Sequence, residues 1–190
     1  PRSAAGFVAA LEADLARLGG GRARLASVSG RYYAMDRDRR WERTARAWSA
    51  MVDPDEPSVE RASSGSEAVA AAYARDITDE FIPPTAILGE GGAPAGPIRD
   101  GDAVILANYR SDRMRQLLDA LTEPGFDGFA RRLPVGLEVV TMTEYREGQR
   151  ADVAFPRQDV ERPLARVVSE AGLEQLRIAE TEKYAHVTWF

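Results

Sequence analysis

The apolar run AVILA at residues 103–107, followed directly by a helical pattern at about residues 111–121, is the feature that most constrains the fold. A strand that is apolar at every position predicts cover on both faces, and a strand that runs straight into a helix is half of a parallel βαβ unit. The same order occurs earlier in the chain. RLASVS (residues 24–29) reads as a short buried strand ending at Gly30, and Trp41, Ala45, Trp48 and Val52 recur at helical spacing after it.

Further elements fill in around these two units. Ser3 predicts an N-cap, with Phe7, Val8, Leu11, Leu15 and Leu18 forming one helical stripe that Gly19, Gly20 and Gly21 stop. Pro54 and Pro57 break the helix begun at Trp41, and Ser64 with Glu67 forms a capping box for another helix reaching Ala74. FIPPTAIL (residues 81–88) carries Pro83 and Pro84, which predict an edge strand at most. Residues 89–101, rich in Gly and Pro, read as a surface excursion. LEVVTMT (137–143) and residues 176–180 predict strands, and Pro163 opens a helix closed by Gly172. This alternation predicts an α/β fold: a mixed, mostly parallel sheet covered by helices on both faces, in a single domain.

Composition narrows the function. With 190 residues, 44% hydrophobic, the chain can bury one sizeable core, and a formal charge of -5 argues against a nucleic-acid binder. No cysteine is present, which excludes disulfides and thiolate metal sites and fits a cytoplasmic protein; no apolar run is long enough to span a bilayer. An anionic ligand must therefore be met by a local group of arginines.

Two segments supply such groups at strand-to-helix junctions, where ligands collect in open α/β sheets. GRYYAMDRDRRWERT (residues 30–44) carries Arg31 and Arg37. NYRSDR (residues 108–113) carries Arg110 and Arg113, spaced so that both lie on one helix face. The planar guanidinium fork donates paired hydrogen bonds to phosphate or carboxylate and stays charged at any working pH. Taken alone, these arginines are better read as solvated or as partners of acids such as Asp36, Asp38 and Asp112. Arg39, Arg40, Arg43 and Arg46 read as an exposed helix face balanced by Glu42.

Together with IAETEKYAHVT (residues 178–188), these motifs closely resemble the cofactor-independent phosphoglycerate mutases, two-metal enzymes that interconvert 3- and 2-phosphoglycerate in glycolysis through a phosphoserine intermediate. The resemblance runs over the whole chain. It implies a substrate-binding domain that is inserted, in the family, into a metal-binding phosphatase-like domain. Residues 1–180 would then be that domain without its N-terminal part, and residues 181–190 the start of the passage back. The resemblance puts the substrate-gripping arginines on Arg31, Arg37, Arg110 and Arg113, and it makes Lys183 the cation that meets the transferring phosphoryl group.

By the same resemblance the nucleophilic serine and two manganese ions belong to the missing domain, which is the partner this chain needs besides its phosphoglycerate substrates. An upstream histidine and an Arg-Asp pair of the substrate domain are also missing. The expected behaviour is that of a cytoplasmic isomerase fragment that binds no metal or cofactor itself, is inactive alone and grips substrate weakly. The alternative is a free-standing phosphometabolite-binding module without catalysis. His186, the only histidine, and Trp41, Trp48 and Trp189 read as packing residues; Asp36 with Asp38 and Asp100 with Asp102 read as turn or cap residues.

Overall fold

Chain-breaking residues set most element boundaries in the computed structural model, which describes residues 1–156, 158, 160–184 and 187. These residues divide between two compact units, Pro1–Pro156 and Arg157–Phe190.

In the first unit, helix α1 (Ala4–Gly19) ends where Gly20 takes a left-handed conformation, φ 53°. Ser3 precedes it but caps nothing: its amide and hydroxyl instead donate to Asp79 Oδ2 at 2.9 and 3.0 Å. Only part of the apolar stripe is covered, since Val8 and Leu15 are half-buried while Phe7, Leu11 and Leu18 are exposed. Helix α4 (Gly65–Ala74) starts as its capping signal predicts, with Ser64 Oγ accepting from the Glu67 amide at 3.0 Å. The return bond is shifted by one residue, because Glu67 accepts from the Ser63 amide at 2.7 Å rather than from Ser64. Glu12 of α1 adds a second cap, accepting from the Gly65 amide at 2.6 Å and so tying α1 to α4.

The expected single sheet is two three-stranded sheets. The first comprises β1 (Ser27–Val28), β2 (Glu60–Ala62) and β3 (Thr85–Ile87) in the order β1-β3-β2, with β1 antiparallel and β2 parallel to β3. Residues 81–88 thus supply the central strand and not an edge. Pro83 and Pro84 precede the first paired residue, Thr85, and so remove no ladder hydrogen bond.

The chain leaves β1 through Gly30, whose amide donates to the Ile82 carbonyl at 2.8 Å. A Cβ at this position would lie 2.3 Å from the Glu80 carbonyl oxygen, so only glycine fits the approach. A short helix, α2 (Arg31–Ala34), follows at once, and α3 (Trp41–Val52) comes after a six-residue loop, residues 35–40.

The second sheet is all parallel: β4 (Ala103–Leu106), β5 (Glu138–Thr141) and β6 (Asp152–Val153) in that order. Helix α5 (Ser111–Thr122) covers it, packing Met114, Leu117, Leu118 and Leu121 with Leu106, Val139 and Tyr145, and Trp48 of α3 joins the same core. The apolar run of β4 was expected to be covered on both faces. One face is open, with Ile105 66% exposed, because α5 packs on the Leu106 side alone among the described residues.

In the second unit, α6 (Leu164–Glu170) follows Pro163 and stops before Gly172, φ 69°, as predicted. The strand expected at residues 176–180 does not form. Leu176 and Ile178 are exposed, and no neighbouring strand pairs with their backbone among the described residues. A 3₁₀ turn, Thr181–Lys183, follows. The α/β class with parallel-containing sheets and packed helices stands.

Candidate functional site

Loop 35–40 is built around one buried carboxylate. The Asp36 side chain is 2% exposed, and its Oδ2 accepts from the Asp38 amide, the Arg40 amide and Gln116 Nε2, each at 3.0 Å. Its Oδ1 lies 3.5 Å from both Arg40 Nη1 and Arg43 Nη1. Burial works against this charge. The Arg40 amide, Gln116, the Asp38 amide and the Arg43 cation outweigh it and hold the carboxyl below its usual range. The bonds span a strained residue, since Arg39 sits in the left-handed region at φ 59°. Gln116 is itself buried, and its Oε1 accepts from Thr44 Oγ1 at 3.2 Å. The relay Asp36–Gln116–Thr44 thus joins the loop to α5 and α3.

The second arm of the site begins where β4 ends. Tyr145, 1% exposed, places its hydroxyl 3.0 Å from the Leu106 carbonyl and 2.5 Å from the Asn108 carbonyl. Asn108 Oδ1 then accepts from the Arg110 amide at 2.8 Å, turning the chain into α5. A rigid corner therefore carries Arg110, Asp112 and Arg113.

The two arms meet at Asp112. Arg37 Nη1 donates to its Oδ2 at 2.9 Å and Arg110 Nε to its Oδ1 at 3.0 Å. Burial of Asp112 is outweighed by these two arginines, which lower its pKa. Arg113 Nη1 donates to the Met35 carbonyl at 3.0 Å, while its buried Nε has no protein partner. Burial lowers the Arg113 pKa, and the charges of Arg37, Arg31 and Arg110 lower it further. Arg37 and Arg110 thus share the Asp112 carboxylate, and Arg31, Arg37 and Arg110 all lie close enough to Arg113 for their charges to act on it. Asp36 adds little to the balance because Arg40 and Arg43 already face it. Such a surplus of guanidinium favours an anion carrying more than one negative charge.

Other expectations fare differently. Arg37 lies in loop 35–40 and not at a helix start, since α3 opens at Trp41. Arg43 and Arg46 are not a free face: their guanidiniums stack over Tyr32 and Tyr33, at 3.7 and 4.7 Å from the ring centroids, and fasten α3 to α2. Asp36, Asp100 and Asp102 hold turns, accepting from the Arg40, Val135 and Arg99 amides respectively. Trp48 is buried, and Trp41 packs edge-on against Phe126. In the second unit Lys183 is exposed and pairs with Glu180. His186 and Trp189 lie outside the described residues.

Among the described residues no group of three or more His, Cys, Asp or Glu side chains is placed to hold a metal ion. Sequence reasoning passed over Gln116, Thr44 and Tyr145, whose roles come from partners distant in the chain. Asn108 carried a legible signal, being an Asn two residues before the residue that caps a helix, Arg110.

The family model described as BPG-independent PGAM N-terminus matches residues 1–147. The 2,3-bisphosphoglycerate-independent phosphoglycerate mutase of Chloroflexus aurantiacus is 49% identical over 211 residues, covering all of this chain and 38% of the relative. That of Synechococcus sp. strain JA-3-3Ab is 53% identical over 190 residues, covering all of this chain and 34% of the relative. Among solved structures, a Leishmania mexicana phosphoglycerate mutase, crystallised at low cobalt concentration, superposes with a TM-score of 0.77 at 32% identity. That match covers 98% of this chain and 35% of the other. The chain spans little more than a third of the relatives it matches, and it belongs to the family of 2,3-bisphosphoglycerate-independent phosphoglycerate mutases.

Proposed function

We propose that this chain is the substrate-binding part of a phosphoglycerate mutase that interconverts 3- and 2-phosphoglycerate through a phosphoserine intermediate, a glycolytic isomerase of the cytoplasm. The observation that carries the reading is that Arg37 of loop 35–40 and Arg110 of the β4–α5 corner meet at Asp112, with Arg113 beside them and Arg31 within electrostatic reach of it. Phosphoglycerate offers a phosphate and a carboxylate, and two corners bearing guanidinium forks suit two anions held a fixed distance apart.

In this role the arginines bind and orient. Holding glycerate by its fixed charges lets it turn and take the phosphoryl group back on its other hydroxyl without leaving the site, a positioning contribution to phosphoryl transfer. Lys183 meets the phosphoryl oxygens as the group moves, where a cation stabilises the transition state. The serine and the two manganese ions are left to the remainder of the parent polypeptide, and this chain alone is inactive.

Two substitutions in the full-length parent test the division of labour. Arg110→Ala raises KM, because it removes a contact made to the bound substrate throughout. Lys183→Ala lowers kcat and kcat/KM together by on the order of 10² to 10³, the loss expected for one preorganised donor. An Arg110→Ala enzyme with unchanged KM overturns the assignment of the arginines, and near-normal kcat in Lys183→Ala leaves that lysine an exposed surface residue.

A further inference from the structure

Asp36 touches none of the reacting groups named above, yet it sits behind the arginines that do. All three hydrogen bonds to its Oδ2 come from groups that set arginine positions. The Asp38 and Arg40 amides, at 3.0 Å, fix the backbone on either side of the left-handed Arg39, two residues beyond Arg37. Gln116 Nε2, also at 3.0 Å, comes from one helical turn beyond Arg113 on α5, and Arg113 in turn donates to the carbonyl of Met35, the residue before Asp36. The loop and the helix are therefore latched twice, once through Arg113 and once through Gln116. Thr44, bonded to the far end of Gln116, fixes the amide so that its NH₂ faces Asp36.

We infer that Asp36 is a positioning residue for the anion site: through the shared acceptor Oδ2 it holds loop 35–40 against α5, so that Arg37 and Arg113 are presented together before a ligand arrives. The inference rests on the proposed role of those arginines. It assigns Asp36 a function opposite in sign to its charge. A carboxylate near an anion site weakens anion binding by repulsion, so a residue acting by charge alone improves binding when removed. A latch worsens binding when removed, because the loop's ordering must then be supplied by the ligand.

Two variants of the purified chain separate these effects. In Asp36→Asn the amide oxygen takes the place of Oδ2 and keeps the backbone bonds while the charge is lost. In Asp36→Ala both are lost. With 3-phosphoglycerate titrated to tens of millimolar and followed by amide and arginine Nε–Hε NMR signals, Asp36→Asn binds within about threefold of the unaltered chain or more tightly. Asp36→Ala binds at least about tenfold more weakly, although it too has shed the negative charge. Val69→Ala, on the buried face of α4, serves as the control, being fully buried in a cluster that does not include the loop. It lowers thermal stability without moving the affinity of the folded chain.

Asp36→Ala binding as well as the unaltered chain, or Asp36→Asn and Asp36→Ala weakened equally, overturns the inference. Failure of the underlying reading looks different: Arg37→Ala and Arg113→Ala then leave binding unchanged, or the unaltered chain does not bind at all. In that event the latch is judged from the arginine signals alone. Asp36→Ala shifts and broadens those of Arg37 and Arg113 while Val69→Ala does not, and unshifted signals in Asp36→Ala refute it.

Discussion

Removing one oxygen from the core should loosen the corner that carries Arg110. The Tyr145 ring is 1% exposed and packs in the core of the second sheet, while its hydroxyl faces the carbonyls of Leu106 and Asn108 at 3.0 and 2.5 Å. Tyr145→Phe keeps the packing and deletes that donor. Losing a net hydrogen bond costs about 0.5–1.5 kcal/mol, and leaving a buried carbonyl unsatisfied raises the cost towards about 3 kcal/mol. For a chain of this size, about 2–4 °C of Tm corresponds to each kcal/mol, so Tm should fall by roughly 1–12 °C. The Asn108 carbonyl belongs to the residue whose side chain sets the Arg110 amide, so the loosened corner should also weaken binding of 3-phosphoglycerate. Differential scanning calorimetry with a ligand titration reads both quantities. A Tm change under 1 °C would show that the hydroxyl is not a structural donor. A large Tm loss with unchanged affinity would show that the corner does not govern the arginine.

Gly30→Ala should destabilise by about 1–3 kcal/mol, since the added methyl must displace the Glu80 and Ile82 backbone, and it should shift the Arg31 signals in the NMR spectrum; a near-neutral urea midpoint refutes the close approach. Asp79 gives an acid limb of known sign. Burial opposes its charge, but bonds from the Tyr73 hydroxyl, the Ser3 amide and hydroxyl and the Ala4 amide bring its pKa down to about 2. Since the folded value lies below the roughly 3.9 of an unfolded Asp, the contribution is complete above that pH and disappears as pH falls towards 2. Asp79→Asn should therefore cost about 1–2 kcal/mol at neutral pH and flatten the stability curve between roughly pH 4 and 2; an unchanged acid limb refutes the linkage.

Much of this molecule was legible in its sequence because helices and strand starts are encoded locally. Gly20, Ser64, Pro163 and Gly172 mark the helix ends they were expected to mark, and NYRSDR stands where β4 turns into α5. The resemblance of the arginine motifs to the mutases agrees with the family that the chain matches. Pairing was not legible. Nothing in FIPPTAIL says that its last residues lie between two other strands, and nothing in AVILA says that one face stays open, because both depend on which elements arrive next to them. The same holds for Asp36. The sequence by itself determined where guanidiniums sit relative to strand ends, through spacing and turn chemistry. Only the tertiary structure decided that a carboxylate 80 residues from Gln116 would be buried against it, since burial and hydrogen-bond satisfaction are properties of assembled neighbours and not of local chain preference.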